Sequence, residues 1–212
     1  MNPNFQQRED APPVRMNQAE NRRYRQQSLL RAAMKTVARY DIQGATVERI
    51  CAEAGASRGL IAHYYDSKEA LLLAALEDWF ATAIKLKREI AEDTSRPALQ
   101  RIHQISASSF TAPAYSWENA AAWQAFTNAS RHDRAYADSI RDASRTVRRL
   151  LVPLFKQAAA ESDADIDAEF AARNLYALED GLYNSLATGK DDLKRSDARK
   201  ACAKFIDHCF VD

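Results

Sequence analysis

The sequence predicts an all-α protein, and three observations support that fold class. Only five glycines and six prolines occur among the 212 residues, whereas alanine, the residue with the highest helix propensity, is abundant. A β-sandwich or β-barrel needs many tight turns, for which the sequence has too few turn residues. Runs of alternating apolar and polar residues, the pattern of a half-buried strand, are also missing. We expect about nine helices.

The N-terminal segment divides into an arm and a first helix. Residues 1–17 hold three prolines and have few apolar side chains, so we expect them to form a disordered arm. A first helix is predicted from about Gln18 to Tyr40, because its apolar side chains recur at the spacing of one helical face. These side chains are Leu30, Ala33, Met34 and Val37.

Two short helices are predicted next, joined by a turn. Thr46 and Ser57 are the expected N-caps, since a hydroxyl side chain accepts a hydrogen bond from a free backbone N–H at a helix start. Gly55 ends the first short helix in the left-handed conformation that glycine adopts without strain. The second short helix is expected to run from Arg58 to Tyr64.

The rest of the chain is predicted to be helical with short breaks. Asp66 is expected to cap a long fourth helix that ends near Asp93, with Glu69 as its capping-box partner. Pro153 is expected to kink the seventh helix. The later helices are predicted from about Pro97 to before Pro113, and over 116–130, 133–160, 165–188 and 195–210.

Charge is distributed unevenly along the chain. Ten basic and five acidic residues lie between Arg15 and Lys68, so this segment carries a net charge of +5, whereas the whole chain carries +1. A basic N-terminal module on an acidic body suits an anionic partner at one end. A solvated helix face would give the same charge pattern, so charge alone leaves both interpretations open.

The composition also predicts the compartment. Three scattered cysteines do not make a disulfide framework, which fits a reducing cytoplasm. The first residues lack the basic and then apolar pattern of a signal peptide. No apolar run approaches the roughly 20 residues of a membrane span. We therefore expect a cytoplasmic protein that does not associate with membranes.

The two short helices have the dimensions of a helix-turn-helix, whose second helix enters the major groove of DNA, about 12 Å wide. The run ATVERICAEAGASRGLIAHYYDSKEAL, residues 45–71, resembles the signature of the TetR family of transcriptional regulators. The segment around Ser57 to Tyr65 and the later Trp123-x-x-Phe126 resemble its choline-responsive, BetI-like branch. The resemblance implies a helix-turn-helix domain over 18–68 and a ligand-binding and dimerisation domain over 69–212.

The resemblance also implies the DNA contacts. Thr46 would bond a phosphate, and Arg58 would reach a base edge, with a plain cap and a solvent-exposed or phosphate-bound arginine as the alternatives. Gly59 costs helix stability, which indicates that a base approaches its backbone closely. His63 would lie near DNA or pack against the first helix. The predicted DNA-binding residues are Thr46, Ser57, Arg58, Gly59, Leu60, His63, Tyr64 and Lys68.

In this family the last two helices pair with those of a second subunit, which implies a homodimer. Apolar strips on the predicted eighth and ninth helices agree with such pairing, and Gly181 would allow close helix approach. An intramolecular core is the alternative. The strips consist of Leu175, Leu178, Leu182 and Leu186, and of Cys202, Phe205, Cys209 and Phe210.

The family resemblance places a small-molecule effector pocket among helices four to eight. Aromatic faces hold quaternary ammonium groups, and an acid would balance the charge, with Glu118 as an alternative to Asp180. An aromatic stripe is more often plain core. The predicted ligand-binding residues are Trp117, Trp123, Tyr176, Asp180 and Tyr183.

These patterns predict a TetR-type repressor that binds a palindromic double-stranded DNA operator as a dimer and is released by a small molecule such as a choline-like cation. No enzymatic motif, metal site or cofactor site is expected. Two alternatives remain open. The regulator could respond to redox state through Cys202 and Cys209, or to an unrelated apolar ligand.

Overall fold

The computed structural model describes residues 17–189 and 192–211, and these residues form nine helices and no strands. This confirms the predicted fold class. The arm predicted over residues 1–17 lies outside the described residues, except for Asn17, which caps the first helix. The helices are α1 (Gln18–Gly44), α2 (Val47–Ala54), α3 (Arg58–Tyr64), α4 (Lys68–Glu92), α5 (Ala98–Ser108), α6 (Trp117–Ala129), α7 (Arg134–Ser162), α8 (Ala168–Thr188) and α9 (Arg195–His208).

The predicted caps of the two short helices are confirmed. The Thr46 hydroxyl accepts a hydrogen bond from the backbone N–H of Arg49, and the Ser57 hydroxyl accepts one from Leu60. Gly55 has a φ of 61°, in the left-handed region. The turn between α2 and α3 is therefore set by local side-chain chemistry.

The start of α4 corrects the prediction. Its N-cap is Ser67, whose hydroxyl accepts a hydrogen bond from the Ala70 N–H at 3.0 Å, whereas Asp66 lies one residue before the cap. Glu69 is then the second helical residue and cannot complete a capping box with Asp66. Ser67 has extended backbone angles, so it is the residue from which the helix can begin.

The connection between α1 and α2 depends on two unusual residues. Asp41 has a φ of 62° and interrupts α1 after Tyr40, the predicted end of its regular part. One more turn follows, and it ends at Gly44. A Cβ atom on Gly44 would lie 2.9 Å from the Tyr40 Cβ. Glycine is required there because the chain approaches itself closely.

The buried residues form two clusters. The first cluster unites α1 to α3, which we call the head, with the first half of α4 and one side of α6. The second cluster lies among α5 to α9, which we call the body. Both α4 and α6 contribute to the two cores, so the predicted division at residue 68 stays a prediction.

Helix α6 contacts each core through a different side. Ala122 and Phe126 are fully buried in the head cluster, and Trp123 is buried in the body cluster. Helix α4 behaves similarly, because Leu72 and Leu76 pack in the head while Trp79 packs against both clusters. These two helices therefore couple the head to the body.

Helix α7 continues through Pro153.

No described helix is long and apolar enough to cross a membrane.

We expect Phe126→Ala to lower the free energy of unfolding by about 3–5 kcal/mol, the usual cost of removing a buried phenylalanine. Phe126 is fully buried in the head cluster although it belongs to α6. Chemical denaturation followed by circular dichroism measures the change. Phe170→Ala is the matched control, since Phe170 is 54% exposed and its removal should cost far less. Equal losses for both variants would contradict the packing role of α6.

Candidate DNA-reading surface and ligand cavity

The head presents the first turn of α3 to solvent. Ser57, Arg58 and Gly59 are exposed, while Ile61 is buried in the head core. A recognition helix needs this arrangement, because its first residues must reach base edges while its other side remains packed. Leu60, also predicted to contact DNA, is half-buried and packs against the head core.

No neighbour among the described residues explains Gly59. A Cβ atom placed there would have the Ser57 hydroxyl oxygen, at 3.8 Å, as its nearest neighbour. A glycine within a helix costs about 1 kcal/mol relative to alanine. The structure thus leaves open space where the sequence predicts close approach by DNA.

His63 and Tyr64, two further predicted DNA-binding residues, lie at the C-terminal end of α3. His63 is exposed and packs edge-on against the Tyr64 ring at 5.0 Å. The Tyr64 hydroxyl donates a hydrogen bond to the Arg22 carbonyl at 3.4 Å, and the Arg22 guanidinium lies 5.9 Å from the Tyr64 ring. These contacts place the start of α1 beside α3.

Lys68 is more constrained than the sequence suggests. Its ammonium donates a hydrogen bond to the Ile42 carbonyl at 3.2 Å and lies 3.6 Å from the Glu69 carboxylate. Its side chain remains 23% exposed. Lys68 therefore joins the start of α4 to the α1–α2 connection.

A cavity of about 100 Å³ lies between α4 and the body, and five of its fourteen lining residues are aromatic. Trp79 and Phe80 come from α4, Trp123 from α6, and Tyr176 and Tyr183 from α8. Trp79 and Phe80 stack at 5.2 Å, and Trp123 contacts both of these rings at 5.8–5.9 Å. A small cation in this space would meet several aromatic faces.

The predicted residues Trp123, Tyr176, Asp180 and Tyr183 all line the cavity, but Trp117 does not. Trp117 is the first residue of α6 and is 53% exposed, because the first turn of this helix lies at the surface. Glu118, the alternative counter-charge, lines a separate groove between the head and the body. Both residues are therefore removed from the candidate ligand site.

Asp180 is held in place by the cavity wall. Its carboxylate accepts a hydrogen bond from the Trp123 indole N–H at 2.8 Å and a longer one from the Asn184 amide at 3.4 Å. Burial raises the pKa of Asp180 from its usual value, while these two hydrogen bonds oppose the shift. The hydrogen bond thereby fixes the orientation of the indole ring, which lines the cavity.

One phenol and one indole donate hydrogen bonds to the same carbonyl oxygen. The Tyr183 hydroxyl and the Trp79 indole N–H donate to the Ala114 carbonyl oxygen at 2.9 and 3.0 Å. Burial raises the pKa of Tyr183, and it raises the pKa of Tyr176 to about 12. Both phenols are neutral near pH 7, so the cavity wall has no phenolate charge.

Lys87 and Glu179 form a buried ion pair that lines the cavity, and the sequence analysis did not identify it. The Lys87 ammonium lies 3.9 Å from Glu179 and donates to the Ile105 carbonyl and to the Ser109 hydroxyl at 3.0 and 2.6 Å. Ser109 donates to Glu179 at 2.8 Å. Burial lowers the pKa of Lys87 and raises that of Glu179, against their mutual attraction.

Glu179 has one oxygen, Oε1, that is buried and accepts no hydrogen bond. The Ser106 hydroxyl lies close enough to favour the ionised carboxylate. The sequence indicates the burial of Lys87 but not its partner, because Lys87 continues the apolar side of α4 four residues after Ala83. Glu179 and Asp180 line the cavity with Lys87, so the cavity wall has one more acid than base.

The strips that the sequence predicts for the dimer interface are partly buried inside the chain. Leu175 and Cys202 are buried in the body core, and Phe210 stacks on Phe155 at 6.2 Å. This corrects the expectation that Cys202 supplies intersubunit surface. Gly181 on α8 remains exposed, and a Cβ atom there would meet no atom within 4 Å.

The head thus has the geometry of a helix-turn-helix regulator and the body that of an effector-binding domain. Comparison with known families agrees with this class. The model of tetR-family bacterial regulatory proteins matches residues 29–75, and the model of the BetI-type transcriptional repressor C-terminal domain matches residues 98–211, more than half of the chain. The chain belongs to the TetR family of bacterial transcriptional regulators, with a C-terminal domain of the BetI type.

Individual relatives agree with this family. The transcriptional regulator BetI of Brucella canis is 30% identical over 88% of this chain and 90% of its own. A solved Pseudomonas aeruginosa PAO1 structure, described as a transcriptional regulator, is 32% identical with a TM-score of 0.75 over 88% of this chain and 90% of that one. A Saccharomonospora viridis regulator in complex with choline has the same fold, with a TM-score of 0.79 and 23% identity over 92% and 100%.

Family membership confirms the predicted resemblance and the predicted class, a transcriptional regulator and not an enzyme. The particular DNA-binding and ligand-binding residues remain predictions.

We expect Lys87→Met to lower the free energy of unfolding by about 3–5 kcal/mol, because it leaves Glu179 buried without its countercharge. The double variant Lys87→Met/Glu179→Leu removes both charges and should lose much less, although Ser109 then lacks its two partners. Denaturant titrations of both variants give the comparison. A double variant less stable than Lys87→Met would show that the pair is not the source of the effect.

Proposed function

We propose that this regulator is a ligand-responsive repressor that binds a palindromic DNA operator as a dimer and is released by a small organic cation. The proposal rests on two helices that line the cavity and also contribute to the head core. Trp79 and Trp123 line an aromatic cavity with an excess acid, and they belong to the two helices that also complete the head core. A ligand in the cavity therefore contacts the elements that position α3.

The head would bind DNA with α3 in the major groove. Arg58 would donate hydrogen bonds to a base edge, and Thr46 and Tyr64 would contact phosphates. Lys68 would contribute charge near the backbone, although its bond to the Ile42 carbonyl must loosen for direct contact. Arg22, Arg23 and Arg25, near the start of α1, are exposed and would add attraction to phosphates.

Dimerisation is proposed through α8 and α9. One short recognition helix reads too little sequence for a specific site, so two copies must act together on half-sites about 34–36 Å, or a multiple, apart. The exposed side of α8 includes two small residues, Ala177 and Gly181. Small residues of this kind allow two helices to approach closely.

The chemistry of the cavity favours a choline-like ligand. A quaternary ammonium over an aromatic face gains about 0.5–2 kcal/mol, and Asp180 supplies the opposite charge. The cavity volume of about 100 Å³ suits a small molecule. The choline bound to the Saccharomonospora viridis regulator supports this ligand class.

Release would follow from differential binding to two arrangements of the body. Trp123 contacts the ligand, while Phe126, one turn later on α6, packs in the head core. On α4, Trp79 lines the cavity, and the neighbouring Asp78 accepts a hydrogen bond from Gln27 of α1 at 2.9 Å. A shift of either helix would change the orientation of α3.

The redox alternative has little support. Burial raises the pKa of Cys202 to about 12 and also raises the pKa of Cys209. Thiolates are the reactive form, so both thiols are poorly suited to sensing oxidants. A small uncharged apolar ligand remains the other candidate effector, since most of the residues that line the cavity are aromatic or aliphatic.

The test is binding of the purified protein to a duplex from upstream of its own gene and to a scrambled duplex, with and without choline, at two salt concentrations. We expect specific binding that choline weakens, and log K should fall by about 0.9 per phosphate contact per log unit of salt. Equal binding to both duplexes would contradict the repressor proposal. Specific binding without a choline response would contradict the ligand assignment and leave the apolar alternative.

The variant Asp180→Asn tests the cavity directly. We expect its choline affinity to fall roughly tenfold or more, because the buried opposite charge is lost, while DNA binding without ligand changes little. Isothermal titration calorimetry measures the affinity. Glu118→Gln is the matched control, since it removes one acid from α6 outside the cavity. A loss of the same size in the control would mean that the effect is due to general electrostatics.

A further inference from the structure

The exposed arginine of the recognition helix is paired with an acid. Arg58 is the first residue of α3, and its Nη2 donates a hydrogen bond to the carboxylate of Glu48, the second residue of α2. The two side chains remain 70% and 56% exposed. The pair therefore lies on the surface that would face DNA.

Other cations of the head are held differently. The Arg49 guanidinium donates to the Gly44 carbonyl at 2.8 Å and lies 4.3 Å from the Tyr40 ring. Arg39 and Lys35 pair with Glu53, which is only 21% exposed. These contacts join α1 to α2 or to its connection. The contact between Glu48 and Arg58 instead joins the two helices of the helix-turn-helix at their N-terminal ends.

The pair leaves Arg58 able to read a base. A guanidinium has five N–H donors in a rigid fork, and Glu48 uses one of them. The remaining donors suffice for the two parallel hydrogen bonds that an arginine makes to O6 and N7 of guanine. A free arginine in the same place can instead bond a phosphate, which carries no sequence information.

Glu48 also acts on the DNA backbone through its own charge. It lies two residues after Thr46, at the end of α2 proposed to approach a phosphate. Hydrogen bonds from its own backbone N–H and from Thr46 lower the pKa of Glu48, so the carboxylate is ionised near pH 7. A fixed negative charge at this position opposes phosphate contacts that are not compensated by correct base contacts.

We propose that Glu48 is a specificity-determining residue, which orients Arg58 toward a guanine and penalises non-specific backbone contact. The inference rests on the proposed DNA-binding function and adds a role for a residue that does not itself need to touch DNA. An exposed ion pair biases side-chain orientation by up to about fivefold. The expected effect is therefore on discrimination between sequences more than on the affinity for the best one.

The experiment begins with selection of binding duplexes from a randomised DNA library by the full chain. The wild-type protein and the variants Glu48→Gln, Arg58→Gln, Glu48→Gln/Arg58→Gln and Glu53→Gln are then measured on the selected duplex, on its single-base variants and on a scrambled duplex. Glu53→Gln is the matched control, since it removes an acid from the same helix without contact to Arg58. Circular dichroism confirms that each variant is folded.

We expect Glu48→Gln to bind the scrambled duplex more tightly and to lose at least about threefold in the ratio of specific to non-specific affinity. The weakened preference should be for the guanine whose recognition Arg58→Gln also weakens. For Arg58→Gln itself, the loss of preference for that guanine should be about 5- to 150-fold. In the Arg58→Gln background, Glu48→Gln should not change base preference further.

Unchanged base preferences in Glu48→Gln would overturn the inference, and so would an equal effect of Glu53→Gln. Preferences that change at positions independent of Arg58 would also overturn it. Failure of the wild-type protein to select any consensus would instead remove the proposed DNA-binding function, on which the inference rests. The two failures are therefore distinguishable.

Discussion

Helix α6 packs in two hydrophobic cores at once, and the rest of the structure depends on this constraint. Phe126 is fully buried among head residues, whereas Trp123, three residues earlier, is 5% exposed and faces the body cavity. Protein interiors are packed as densely as organic crystals, so neither side of the helix can move without displacing its neighbours. A ligand that repositions Trp123 therefore acts on the head through contiguous packing.

The buried ion pair in the cavity wall restricts how α4 and α8 can move relative to each other. Lys87 and Glu179 are almost completely buried, and Ser109 bridges them. Burying two charges costs more free energy than a good ion pair usually returns, so stability alone does not account for the pair. It fixes α4 and α8 relative to each other at the cavity, and it gives a ligand one wall that does not rearrange.

The helix-turn-helix could be predicted from sequence because its determinants are local. Thr46, Gly55 and Ser57 act on backbone groups within four residues of themselves, so capping rules locate α2 and α3. The N-cap of α4 was misplaced by one residue because Asp66 and Ser67 are both good caps, and backbone conformation decided between them.

The candidate ligand site was predictable only in part, because it depends on tertiary placement. Tyr176, Asp180 and Tyr183 share one side of α8, so helical periodicity groups them correctly. Trp117 and Trp123 both belong to α6, but their exposure depends on what covers each turn of that helix. The pairing of Lys87 with Glu179 joins distant parts of the sequence, and no local pattern specifies it.

The central claim is that the cavity and the DNA-reading surface are energetically coupled. The most direct measurement is the choline affinity of the free protein compared with that of the protein saturated with its selected operator duplex, by isothermal titration calorimetry. Coupling is reciprocal, so choline should bind the operator complex more weakly, by the same factor by which it weakens operator binding. Equal choline affinity in the two states would contradict the account, because the cavity would then have no influence on the head.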